Sequence, residues 1–426
     1  MAAMEASRVV VVGQGYVGLP LAMRACEVGH DVIGFDVDAE RVDHLAAGRS
    51  YVGDVPADRL GAALASGRYR PTADPADLAG FDVAVVTVPT PLRDGQPDLT
   101  YIEDAARLLA GHLRPGACVI LESTTYPGTT DELVAPLLEQ GSGLAAGTGF
   151  ALGYSPERIN PGDPNATLEG TPKVVSGIDA ASLQRVQSFY DDLVVRTVPV
   201  SGTREAELTK LLENTFRHVN VALVNELAMF AADLDIDVWE AIDAADTKPF
   251  GFMRFEPGPG VGGHCLPIDP SYLAWKVREE LGAPFRFVEL ANDVNDYMPG
   301  YVVDRLEAAL HRRGLPLAGA RVLVLGLAYK PETGDAREAP ALRITEILSG
   351  RGARVSAADP YVTGRVHGLD PGLERVEPTP DVLGATDAVV VVTPHAAFDL
   401  AEVVAHAPFV LDTRRRVPPA PNVERL

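Results

Sequence analysis

The sequence predicts an α/β chain in which two open parallel sheets of related design are joined by one long helix. Three observations predict it. A β-rich run, Arg8–Val12, passes through a glycine turn into a helical stretch and then a second β-rich run, which together make a βαβ unit. The same order of elements recurs near the C-terminus, far too distant to be a short-period repeat. Between the two lies Arg204–Asp233, a helical pattern without Gly or Pro.

Taken in order, Arg8–Val12 is the first strand and Gly13-Gln14-Gly15-Tyr16-Val17-Gly18 the turn. Leu19–Val28 is a helix ended by Gly29-His30, and Asp31–Asp36 is the next strand. Further strands are expected at Val83–Val88 and Cys118–Glu122. In the long helix, Leu208, Leu211, Leu212, Phe216, Val219 and Leu223 form an apolar stripe at helical spacing, expected to serve core packing and contact between subunits. In the C-terminal part, Arg321–Leu325 is a strand, Gly326 begins its turn, Glu338–Ser349 is a helix ended by Gly350, and Arg354–Ala357 is a strand finishing at Asp359. Ala388–Thr393 echoes Val83–Pro89, both valine-rich and both running into Pro.

With 426 residues the chain is long enough for two or three domains, and a hydrophobic content of 46% supports ample cores. The net charge of −22 argues against a nucleic-acid partner, which would call for basic patches. It leaves room for anionic small molecules, because a few local cations and helix N-termini hold a phosphate. No apolar run reaches membrane length, and residues 1–8 carry no apolar signal core, so neither membrane attachment nor secretion is expected. Three cysteines without paired spacing suit a reducing cytoplasm.

The glycine turn follows a strand, opens a helix and lies within a βαβ unit, the context that makes such a fingerprint informative. Gly13 permits the tight turn, Gly15 lets backbone approach a pyrophosphate, and Gly18 lets helix and strand pack closely. Asp36 ends the second strand, where a carboxylate accepts the ribose hydroxyls and repels a 2′-phosphate; this selects NAD over NADP, with Arg41 as a nearby opposing cation. Thr87–Pro91 and Ser123–Pro127 follow strands, which puts Thr90, Thr124 and Thr125 at the ligand edge of the sheet, as contacts or as ordinary turn hydroxyls.

The chemical signal is Gly260-Val261-Gly262-Gly263-His264-Cys265-Leu266-Pro267-Ile268-Asp269-Pro270. Three readings of Cys265 stay open: a core thiol, a metal ligand with His264, or a nucleophile. Metal binding is disfavoured, because the spacing is not that of zinc ligands and no second pair exists, so no metal is expected. The glycines leave the thiol unshielded, and a following helix would lower its pKa. Asp269-Pro270 matches an N-cap and first helical proline for a helix Pro270–Leu281, a role compatible with catalysis four residues from the thiol. Lys210 and Asn214, one turn apart, could stabilise an oxyanion or simply face solvent. Cys26 and Cys118 read as core.

These residues resemble the UDP-glucose and GDP-mannose dehydrogenase family over nearly the whole chain. The carriers are Gly13–Gly18, Val88-Pro89-Thr90-Pro91, Ser123-Thr124-Thr125-Tyr126-Pro127-Gly128, Ser155-Pro156-Glu157-Arg158 and Lys210-Leu211-Leu212-Glu213-Asn214. To these are added Gly262-Gly263-His264-Cys265 with Asp269, Lys330 with Thr333–Arg337, and Asp412-Thr413-Arg414. The resemblance implies two Rossmann-like domains joined by a long central helix, a homodimer, and oxidation of a nucleotide-sugar C6 hydroxyl to a carboxylate with NAD. It implies a division into an NAD-binding domain 1–200, a helical dimerisation domain 201–300 and a nucleotide-sugar-binding domain 301–426.

By the same resemblance Cys265 is the nucleophile, Lys210 and Asn214 are oxyanion and water partners, Asp269 assists as acid or base, and Glu157 is a base, with Thr125 also a catalytic candidate. Gly13, Gly15, Tyr16, Val17, Gly18, Asp36, Arg41, Thr90, Thr124 and Arg337 would hold the cofactor. Arg158, Arg254, Gly262, Lys330 and Arg414 would hold the substrate. The implied route runs through a cysteine thiohemiacetal and thioester. Enzymes of this family acting on UDP-glucose tend to carry a second carboxylate four residues after Glu157, where this chain has Pro161. Arg158, Pro257-Gly258-Pro259-Gly260 and Lys248–Met253 resemble the branch acting on UDP-N-acetylhexosamines, closest to UDP-N-acetylglucosamine 6-dehydrogenases. The alternatives are a UDP- or dTDP-glucose enzyme, serving polysaccharide or secondary-metabolite assembly, a two-electron hydroxyacid-type dehydrogenase and, furthest, a non-enzymatic NAD-sensing module.

Overall fold

Runs of consecutive apolar residues become strands that are covered on both faces, as parallel sheets require. The computed structural model describes residues 6–93, 95–159, 167–263 and 265–426, the Cys265 side chain excepted. The chain divides into two compact units, Met1–Glu213 and Asn214–Leu426.

The strands of the first unit are β1 (Arg8–Val12), β2 (Asp31–Phe35), β3 (Tyr69–Thr72), β4 (Val83–Val86), a small hairpin of β5 (Leu92–Arg93) and β6 (Gln96–Pro97), β7 (Cys118–Leu121) and β8 (Ala151–Tyr154), followed by the pair β9 (Lys173–Val175) and β10 (Thr197–Pro199). Six of them form one parallel sheet in the order β3-β2-β1-β4-β7-β8. Side chains alternate across it. Val9 and Val11 face the helices Gly18–Glu27 and Ala180–Leu193, while Val10 and Val12 face the helix Thr100–Ala110. The order reverses between β1 and β4, which places the glycine turn at the switch point where such sheets bind ligands.

The second unit repeats this plan with β11 (Arg321–Leu325), β12 (Arg354–Ala358), β13 (Glu374–Arg375), β14 (Ala388–Val391), β15 (Val410–Asp412) and β16 (Val423–Arg425). Its sheet is parallel in the order β13-β12-β11-β14-β15-β16, the same switch pattern. The two expected sheets of related design are therefore present.

The long helix runs Thr203–Asp233, 31 residues or roughly 45 Å. Its apolar stripe is not core. Only Leu211 of that stripe is buried, and Leu208, Leu212, Phe216 and Leu223 are between 43% and 63% exposed. The buried side instead carries Glu207, Lys210, Asn214, His218 and Asn225, spaced by three, four or seven residues, which keeps them on one face. Each is hydrogen-bonded, which offsets part of the cost of burying a polar group.

Two helix starts differ from expectation. The helix after the glycine loop begins at Cys265 and runs to Leu281, with Pro270 inside it. Asp269 is therefore not its N-cap; Pro267 is the proline near the start, and the Asp269 carboxylate bonds the Asn214 side chain. The C-terminal helix is Pro340–Gly350 and begins two residues late, because Glu338 has a φ of 50°, outside helical space.

Candidate active site

In the first unit the glycine turn leaves no room for side chains at two of its three glycines. Gly13 has φ 94°, and a Cβ there would lie 2.8 Å from the Thr87 carbonyl oxygen. A Cβ on Gly18 would lie 1.9 Å from the Gly13 carbonyl oxygen. Thr87 closes the turn by donating its hydroxyl to the carbonyls of Val12 and Gly13, at 2.9 and 2.8 Å. A Cβ on Gly15, by contrast, would meet nothing within 4 Å, which leaves its backbone open to a ligand. Tyr16 is exposed and Val17 half-buried; Val17 precedes the helix Gly18–Glu27, whose first turn has no acidic residue and no side-chain cap. The amides at that end are suited to an anion. These features fit a dinucleotide pyrophosphate.

Asp36 follows β2 and is buried. It accepts hydrogen bonds from the amides of Gln14 (2.9 Å) and Asp38 (3.0 Å), so its carboxylate is fixed beside the glycine turn. The half-exposed Arg41 guanidinium lies 3.6 Å from it. Thr90 is buried, Thr124 half-buried and Thr125 fully buried, with its hydroxyl 2.6 Å from that of Thr129. Ser123 ties the ends of two strands by donating to the Val88 carbonyl at 2.8 Å. The loop is then anchored on the long helix, where Glu207 accepts from the amides of Gly128 and Thr130 (2.6 and 2.9 Å) and the Thr130 hydroxyl (2.7 Å).

Beyond β8, Glu157 turns its carboxylate back on its own loop. Its Oε1 accepts from the amides of Arg158 and Ile159, both at 2.5 Å, and its Oε2 lies 3.4 Å from Lys173 Nζ. Lys210 donates to the Glu157 carbonyl at 2.6 Å, so these two sequence-predicted residues meet. Burial raises the Glu157 pKa, opposed by those amides and by Lys210. Arg158 pairs with Glu213 at 2.6 Å and donates to the Pro172 carbonyl at 2.6 Å. Pro161 lies outside the described residues, as do His264 and the Cys265 side chain.

In the second unit the glycine loop is held against the turn after β11. A Cβ on Gly263 would lie 2.9 Å from the Tyr329 ring, and one on Gly262 2.7 Å from the Glu338 carbonyl oxygen. Gly263 donates its amide to the Arg337 carbonyl at 3.0 Å. These glycines thus serve close packing of the loop ahead of Cys265. One turn into its helix, Asp269 accepts from Asn214 Nδ2 at 2.5 Å, and both are buried. Lys330 is half-buried in the same turn, and the exposed Arg337 guanidinium bonds Asp335 at 2.6 Å.

Arg414 lies against Gly258, where a Cβ would come 2.3 Å from its Nη1, and desolvation lowers its guanidinium to about 10. Among the described residues no carboxylate forms a salt bridge with it, which suits an anionic ligand. Arg254 is differently placed, bonded to Asp243 at 2.8 Å and to Glu256 at 3.3 Å. Burial pushes the Cys26 and Cys118 thiols up to about 12, in keeping with core residues.

Sequence reasoning missed Lys173, Tyr190 and Glu207 and named Glu122 only as the end of a strand. Lys173 had a signal: a lone cation opening a Lys-Val-Val strand. Glu207, one turn before Lys210, had none beyond spacing.

Residues 7–194, 204–297 and 323–419 match the NAD binding, central and UDP binding domains of the UDP-glucose/GDP-mannose dehydrogenase family. The chain is 38% identical over 399 residues to UDP-N-acetyl-D-glucosamine 6-dehydrogenase of Pseudomonas aeruginosa, covering 93% of this chain and 92% of the relative. It is 36% identical over 392 residues to UDP-N-acetyl-D-mannosamine dehydrogenase of Pyrococcus horikoshii, covering 92% and 90%. Among solved structures, a UDP-D-ManNAc dehydrogenase from Pyrococcus horikoshii superposes with a TM-score of 0.88 at 34% identity, covering 98% of each chain. A UDP-glucose dehydrogenase from Pyrobaculum islandicum gives 0.88 at 29% identity, covering 100% and 98%.

Proposed function

The chain belongs to the UDP-glucose/GDP-mannose dehydrogenase family of NAD-dependent enzymes, and from that premise we propose that it oxidises the C6 hydroxyl of a UDP-N-acetylhexosamine to the uronic acid. The observation that carries the four-electron outcome is the placement of Cys265 as the first residue of a helix, behind glycines closed on Tyr329. A thiol at a helix N-terminus is favoured as thiolate. The N-acetylhexosamine reading is supported by the names of relatives that share over a third of their residues with the chain.

NAD, when bound, supplies the hydride acceptor for each oxidation. Gly13, Gly15, Tyr16, Val17 and Gly18 would hold its pyrophosphate, Asp36 with Arg41 its ribose, and Thr90, Thr124 and Arg337 further contacts. Arg158, Arg254, Gly262, Lys330 and Arg414 would hold the nucleotide sugar. Glu157 takes the C6 hydroxyl proton. The Cys265 thiolate adds to the aldehyde carbon, and the thiohemiacetal becomes a thioester on the second oxidation. Lys210 and Asn214 stabilise the oxyanions, Thr125 holds the loop that faces the reacting group, and Asp269 assists the water that releases the acid.

We assign 1–200 to NAD binding, 201–300 to dimerisation and 301–426 to nucleotide-sugar binding; the matched segments support these limits. The exposed apolar row on the long helix supports a homodimer. Buried free thiols at Cys26 and Cys118 support a cytoplasmic location, and among the described residues no helix is long and apolar enough to cross a membrane.

The test is NADH yield against UDP-N-acetylglucosamine, UDP-N-acetylmannosamine, UDP-glucose and dTDP-glucose. An N-acetylated sugar should react fastest and give two NADH per uronic acid. A faster UDP-glucose or dTDP-glucose would overturn the substrate, and a yield of one NADH would overturn the four-electron route.

A further inference from the structure

Behind Glu157 lies a second buried charge cluster that the reaction as described does not use. Lys173, the first residue of β9, is 3% exposed, and its Nζ contacts the Glu122 carboxylate. The same Nζ lies 3.4 Å from Glu157 Oε2 and 5.2 Å from the centroid of the Tyr190 ring. Tyr190 donates its hydroxyl to the other Glu122 oxygen at 3.3 Å. Glu122 immediately follows β7, so three sheet elements and the helix Ala180–Leu193 converge on one ammonium group.

We propose that Lys173 and Glu122 are positioning residues for Glu157: the ammonium group, itself held by Glu122 and Tyr190, fixes the orientation and the charge of the Glu157 carboxylate. This rests on the reading of Glu157 as the base. One cation stands between two carboxylates. Its share of charge for Glu157 depends on how much of it Glu122 already neutralises. The other groups that face Glu157 are its own loop amides, Lys210 on the long helix at its carbonyl, and Arg158, whose guanidinium is taken up by Glu213. None of these replaces Lys173 at Oε2. Burial and the Lys210 charge pull Lys173 down and burial pulls Glu157 up, both against the charged forms. The contacts of Lys173 Nζ with Glu122 and Glu157 are what favour the ion pair, and removing one partner leaves a buried group unpaired.

The geometry therefore gives two substitutions opposite effects on the acid limb of the kcat/KM pH profile, where Glu157 must lose its proton. In Lys173→Met the two carboxylates face each other without a cation, and the limb should move up by about one pH unit or more. In Glu122→Gln the ammonium group is no longer neutralised and acts on Glu157 alone, so the limb should move down. Lys173→Arg should keep it close to the parent position. Circular dichroism and thermal unfolding check the fold; if Lys173→Met fails to fold, the double variant Glu122→Gln/Lys173→Met carries no carboxylate at 122 and should still move the limb up. Glu157→Gln should remove the limb. If it does, while the Lys173 and Glu122 variants leave the limb in place or move it in one direction, the positioning role is overturned. If Glu157→Gln leaves the limb untouched, the base reading itself fails and this inference fails with it.

Discussion

Glu207 is a carboxylate buried within the first unit, with no salt bridge to a cation among the described residues. Burial raises it to about 7 from an ordinary value of 4.5, against three hydrogen bonds from Gly128 and Thr130 that favour the ionised form. A folded-state pKa above the unfolded one means that the folded state binds the proton more tightly. Its contribution to stability is then full below pH 4.5 and is lost as pH rises through about 7. The whole effect is roughly 3 kcal/mol. Glu207→Gln removes the titration and one well-formed acceptor. The urea-unfolding advantage of the parent over this variant should shrink steadily between pH 5 and pH 8; a constant difference would show that Glu207 stays ionised throughout. Such residues were not legible in the sequence. Glycine, cysteine and aspartate announced themselves by local pattern, whereas Glu207 and Lys173 matter through partners far along the chain.

At the scale of elements, the valine-rich strands and the first βαβ unit were legible because valine runs and a glycine turn are local signals, whereas short strands such as Tyr69–Thr72, Ala151–Tyr154 and Val410–Asp412 were not expected. The helix at Cys265 was not, since Asp269-Pro270 imitates a start that belongs a turn and a half earlier. The long helix was legible in extent and inverted in meaning. Most of its periodic apolar side chains lie at the surface, Leu211 excepted, and Glu207, Lys210, Asn214, His218 and Asn225 are buried beside Leu211, Ala222, Val224 and Ala228. A helix whose apolar side is exposed is incomplete without a partner, and Leu223, Leu227 and Phe230 continue that side toward its end. The proposed homodimer would cover it. Sedimentation should therefore find a dimer for the parent chain and a folded monomer for Leu227→Glu/Phe230→Glu, placed away from Lys210 and Asn214. A monomeric parent at micromolar concentration would rule out this role for the helix.

For the whole molecule, two units share one sheet design and differ in what they present. The first unit offers an open glycine turn with a fixed carboxylate; the second offers a desolvated arginine and a glycine loop leading to a cysteine. The thiol is what separates this chemistry from a simple alcohol oxidation, and product identity tests it better than rate. If Cys265 carries the covalent intermediate, Cys265→Ala has nothing to capture the aldehyde, and uronic acid should vanish. The first oxidation needs no thiol, so a single slow turnover to aldehyde with one NADH can persist. Cys118→Ala truncates a fully buried side chain and should lower the unfolding midpoint while keeping two NADH per acid. Uronic acid formed at the parental stoichiometry by Cys265→Ala would remove the covalent route and return this cysteine to a packing role.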